Sequence, residues 1–146
     1  PITNTFTIGQ IGLTLDETTG SSYKIVPGVD IAKDPTVTVA AGSETCWVFV
    51  KVEETGWNGN TILHYDMADG WEQVHDQPGV FCRKVTTSDD KQDFPVLAGN
   101  KVTVLSNVTK DQLAKLSAPT LKFTAYAIQV AGFEEDEARA WNEFNH

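Results

Sequence analysis

KIVPGVDIAKDPTVTVAAGSETCWVFVKVEE, residues 24–54, decides the fold class. Val37 and Val39 alternate with Thr36 and Thr38, the two-residue period of a strand with one buried face. After the turn material of Ala41 to Thr45, a longer run begins. Cys46, Val48, Val50 and Val52 line one face of it, and Trp47, Phe49 and Lys51 line the other. Both faces are largely apolar, so this run is expected to be a central strand between two packed layers. Pro27-Gly28 marks a tight turn between short extended pieces, Tyr23 to Val26 and Val29 to Ile31. The stretch predicts a β-sandwich and contains no catalytic motif.

Working outward, Phe6 and Ile8 alternate with Thr5 and Thr7, but the phase slips by one at Gly9-Gln10. Ile11, Leu13 and Leu15 resume on odd positions. A slip beside a glycine implies a β-bulge, or a chain that leaves one sheet and enters another. On the carboxyl side, Ile62 to Tyr65, Trp71 to Val74 and Val80 to Val85 read as strands. Phe94 to Leu97 and Val102 to Leu105 read as a pair joined by Ala98 to Lys101. Thr120 to Val130 is a final strand, apolar on both faces. Thr109 is placed to cap a short helix over Lys110 to Leu116. A second short helix is expected at the carboxyl end, where Phe133, Ala140, Trp141 and Phe144 fall at helical spacing behind acidic residues 134–137. The fold class is therefore all-β, a jelly-roll β-sandwich with one or two short helices.

The chain has 146 residues, 40% of them hydrophobic, enough for one domain with its own core. Its formal net charge of -9 repels nucleic-acid phosphates and anionic lipid, so neither is an expected partner. No stretch approaches the roughly 20 apolar residues of a membrane span. The sequence opens on Pro1 rather than Met, which suggests a processed or trimmed start and a secreted protein. The two cysteines, Cys46 and Cys82, sit in strand-like runs. A disulfide between them would add roughly 3 to 4 kcal/mol by loop closure; the alternative is two buried free thiols.

No catalytic constellation emerges, and the chain reads as non-enzymatic. His64, His75 and His146 form no HExxH or HxH pattern, so neither a metal site nor a cofactor is expected. Ser43 is outside any GxSxG elbow, and the glycines at 9 and 12 lack a phosphate-loop context. Asp89, Asp90 and Asp93 read as a solvated acidic loop rather than a calcium site. Trp47, Trp57, Trp71 and Trp141 would make a sugar-binding platform if clustered and exposed; packing in the core is the other reading. One feature a self-contained fold does not absorb is the first strand, a good β-former that ends at a glycine and a phase break. Such a strand can pair at home or add to a neighbour's open edge.

Three segments, NTFTIGQIGLTLDE, VPGVDIAKDPTVTVAAGSETCWVFVKVEE and FTAYAIQVAGFEEDEARAW, resemble the TasA and camelysin family of secreted proteins from Gram-positive bacteria. The likeness runs from Asn4 to about Phe144. It implies a jelly roll, export by a dedicated signal peptidase to the cell surface or extracellular matrix, and, for the TasA branch, assembly into biofilm fibres. In such fibres the amino-terminal strand of one subunit completes the sheet of the next, a head-to-tail homopolymer. The matching donor positions are Thr3, Asn4, Thr5, Phe6, Thr7 and Ile8, with Phe6 and Ile8 as anchors and Gly9 as the hinge. The chain then divides into a donor strand, 1–9, and a single jelly-roll domain, 10–146. Camelysin-like members are described as metalloproteases, an activity for which these residues supply no ligand set. A monomeric adhesin or carbohydrate-binding module using exposed tryptophans is the alternative.

Overall fold

The computed structural model of the chain describes residues 4–19, 25–59, 62–134 and 136–144. In chain order the strands begin with β1 (Thr5–Ile8), β2 (Leu13–Asp16), β3 (Ile31–Ala32), β4 (Thr36–Val39), β5 (Cys46–Thr55) and β6 (Leu63–His64). They continue with β7 (Glu72–Gln73), β8 (Val80–Val85), β9 (Gln92–Pro95), β10 (Lys101–Val104) and β11 (Thr120–Gln129). Helix α1 (Lys110–Ala114) lies before β11 and helix α2 (Glu137–Asn142) after it. The protein is thus mostly β-sheet with two short helices.

The strands form three sheets, one five-stranded with order β1-β11-β5-β8-β7 and two three-stranded with orders β3-β10-β6 and β2-β4-β9. In the five-stranded sheet β5 pairs antiparallel with β11 and β8, while β1 runs parallel to β11 on its outer edge. Strict alternation places Cys46, Val48, Val50 and Val52 in one core with Leu121, Phe123, Ala125 and Ala127. Leu13, Leu15, Val37 and Val39 from one small sheet, and Leu63, Val102 and Val104 from the other, complete it. Phe49 falls on the opposite face, in a second cluster with Val80, Cys82, Ile128, Ala140 and Trp141. The central-strand expectation for β5 is met: its second layer is α2.

The slip at Gly9 marks a change of sheet. β1 belongs to the five-stranded sheet and β2 to a small one. Odd positions face the main core in both, and the apolar phase slips because Phe6 and Ile8 lie on the outer face of the larger sheet. The expected pairing of 94–97 with 102–105 does not form. β9 pairs with β4, whereas β10 pairs with β3 and β6, and a 3-10 turn at Ala98–Asn100 carries the chain between sheets. Asn100 has a φ of 52°.

The expected disulfide does not form either: Cys46 and Cys82 are both buried free thiols. Cys46 lies opposite Val85, and Cys82 opposite Phe49. The two are therefore three rungs apart along the strand direction, about 10 Å, and on opposite faces of the sheet. A disulfide spans Cα atoms no more than about 7 Å apart.

Candidate strand-exchange edge

β1 is an edge strand of four residues, three of them exposed. Its register sets Thr5 beside Ala125, Phe6 beside Tyr126, Thr7 beside Ala127 and Ile8 beside Ile128. Ala125 N–H donates to the Asn4 carbonyl at 2.9 Å, and the Asn4 side-chain amide donates to the Phe123 carbonyl at 3.3 Å. Each such bond contributes about 0.5–1.5 kcal/mol net.

The side chains are distributed unlike those of a buried strand. Thr5 and Thr7 share the face of Ala125 and Ala127, which point into the main core. Phe6 and Ile8 face the other way and remain 56% and 39% exposed. The Phe6 ring stacks on Tyr126, with centroids 5.2 Å apart and planes 19° from parallel. The expected anchors therefore seat on the outer face, beside α2, rather than between the sheets. Gly9 follows with a φ of 104°, and a Cβ built there would lie 2.7 Å from Gln129 Oε1. Only glycine suits that turn. Of the expected donor residues, Thr3 lies outside the described residues.

α2 lies over the adjoining face. Asp136 caps it by accepting from Arg139 N–H at 3.0 Å. The Trp47 indole donates to the Phe133 carbonyl at 2.9 Å, tying the approach to the helix to β5. Trp141 packs edge-on against Tyr126 at 4.8 Å, and Phe144 meets the same ring at 5.0 Å.

The other candidate sites do not assemble. Trp57, Trp71 and Trp141 are buried. Trp57 donates to the Thr120 carbonyl and Trp71 to the Pro95 carbonyl, so these rings serve packing and form no exposed platform. His64 and Asp66 make an exposed pair at 3.0 Å, as do His75 and Asp76 at 3.1 Å; His146 lies outside the described residues. Among the described residues no three His, Cys, Asp or Glu side chains come together as a metal site. Of the expected acidic loop, Asp93 stands on β9 opposite Thr38, and accepts from Thr38 Oγ1 at 2.5 Å. Burial, then the nearby Glu44 charge, pushes the Cys46 thiol up to about 11. Burial, then Glu137 and Glu72, pushes Cys82 up to about 12. At neutral pH both stay protonated and are poor nucleophiles.

Three charged groups, one ion pair and one stacked arginine, escaped the sequence reading. Lys33 Nζ sits 2.6 Å from Glu17 Oε1, their side chains 3% and 7% exposed. Arg83 lies between the Trp71 and Phe94 rings, 4.7 and 4.4 Å from their centroids, and donates to the Asp69 carbonyl at 2.8 Å. Burial lowers its guanidinium pKa. A Cβ at Gly70 would fall 1.6 Å from Arg83 Nη2, so that glycine makes room for the stack.

No protein-family model, no curated protein and no solved structure matches the chain. No helix among the described residues is long and apolar enough to cross a membrane.

Proposed function

We propose that the protein is an exported structural subunit of the TasA and camelysin type, a jelly roll that polymerises by donating β1 to the next copy. The observation that carries this reading is the seat of β1. It is held on an open edge by main-chain bonds, the Asn4 side-chain amide and the Phe6–Tyr126 stack, and three of its four side chains are exposed.

A swap between copies restores the contacts that it breaks, because a second copy's residues 5–8 fit the same register against Ala125 to Ile128. The parallel bonds, the Phe6–Tyr126 stack and the small Ala125 and Ala127 surface are all recovered. The cost is confined to reorienting the chain at Gly9 and to bringing two subunits together. Growth then continues head to tail, since each acceptor retains its own strand to donate. The adhesin reading needed exposed tryptophans and the protease reading needed a ligand set; neither has a supporting arrangement at those residues.

Negative-stain electron microscopy of the full chain, beside a variant lacking residues 1–8, tests the proposal. We expect filaments from the full chain only, with the truncated protein remaining a folded monomer by sedimentation. Filaments from both proteins, or monodisperse particles from both, would overturn strand donation.

A further inference from the structure

We propose that α2 is the latch on β1, with Tyr126 as the shared part, so that helix docking controls when the strand is free to exchange. This rests on the strand-donation reading for its consequence, but the coupling itself belongs to the single chain.

The registers of the five-stranded sheet place Phe6, Tyr126, Phe49 and Cys82 side by side across β1, β11, β5 and β8. They share one face, the face on which α2 lies. Phe6 lies nearly flat on Tyr126. Trp141 meets that ring edge-on at 85°, and Phe144 meets it at 59°. Trp141 and Phe144 also pack on Phe49, at 5.3 and 6.0 Å. A ring held on several sides keeps one rotamer, and removing a wall restores its freedom. The helix thereby fixes the surface on which Phe6 stacks.

α2 is itself marginal. A helix of six residues has too few internal hydrogen bonds to stand alone, so its order depends on Ala140 and Trp141, both buried. Coupling is reciprocal: if α2 steadies β1, then β1 must steady α2 by the same factor.

Hydrogen-exchange mass spectrometry on full-length monomer tests this, following peptides over β1, α2 and the β2–β4–β9 sheet. In Phe144→Ala we expect β1 amides to exchange roughly three- to tenfold faster, the range one or two aromatic contacts supply. The β2–β4–β9 amides should keep the wild-type rate. Asp136→Ala removes the helix cap without touching an aromatic ring, and should accelerate β1 in the same direction by a smaller factor. Deleting residues 1–8 should accelerate α2. Faster exchange in α2 with β1 unchanged in both substituted proteins would overturn the latch. If Phe144→Ala loosens every sheet, the Asp136→Ala result decides. Filament imaging runs separately. A wild-type chain that forms no filaments overturns strand donation, while the exchange rates still settle the latch.

Discussion

Lys33 and Glu17 form a buried ion pair that also touches the main core, Lys33 Nζ lying 5.4 Å from the Phe123 ring centroid. Burying two charges is costly, and the pair offsets this only while both members are present. We expect Lys33→Met to destabilise the protein by about 3 kcal/mol, because it leaves the Glu17 carboxylate buried without its ammonium partner. Adding Glu17→Leu should recover most of that loss. Urea unfolding followed by tryptophan fluorescence checks both, and equal midpoints for the single and double variants would contradict the account. The pair was legible in principle. Glu17 continues the odd-numbered phase of Leu13 and Leu15, and Lys33 precedes Val37 and Val39 in the same phase. Charge at those positions reads as turn material unless parity is carried through it. Arg83 escaped in the same way, standing in phase with Phe81 and Val85 on the inner face.

At the scale of elements, long strands with two apolar faces were readable in full, and the shortest were readable in place but not in extent. β5, β8 and β11 were recognisable because their alternation runs for six to ten residues. The capping box of α1 was half visible: Thr109 Oγ1 accepts from Gln112 N–H at 3.1 Å, and Gln112 Oε1 accepts from Thr109 N–H at 2.8 Å. β3, β6 and β7 have two residues each, so the strands read over 62–65 and 71–74 overran β6 and β7, and the piece read over 29–31 reached only the first residue of β3. Strand partners were the least readable, since proximity in sequence suggested a hairpin at 94–105 that the sheets do not use. Register likewise decides the cysteines. With the thiols on opposite faces of β5 and β8, we expect no Ellman reaction in native protein at pH 8 and two thiols in guanidinium. Reductant should leave the unfolding midpoint unchanged. A thiol count of zero in denaturant would show a disulfide and refute this register.

Charge acts on the whole molecule. Copies that each carry a formal charge of -9 repel as they approach, and filament growth must work against that field. The repulsion extends about 30 Å at 0.01 M salt but only about 8 Å at 0.15 M. If β1 donation builds filaments, their growth rate should therefore rise with salt across that range. Lowering the pH to 5, near the sequence pI of about 4.6, should have the same effect at low salt. Acid does not remove the contact of Asp34 with Thr18 and Thr19 in that window. Burial tends to raise the Asp34 pKa, but hydrogen bonds from the Thr18 hydroxyl and N–H, then from Thr19, outweigh it and leave the group below its ordinary value. A depressed folded-state pKa gives stability that is fully present above the unfolded-state value near 3.9 and lost only as pH falls through the lower, folded one. Growth measured by light scattering at pH 7 and pH 5, in 0.01 and 0.15 M salt, separates the terms. Charge-limited assembly is slowest at pH 7 in low salt, and the other three conditions converge. Growth fastest at pH 7 in low salt would mean that subunits are drawn together by complementary charge, a force to which β1, with no ionisable side chain, contributes nothing.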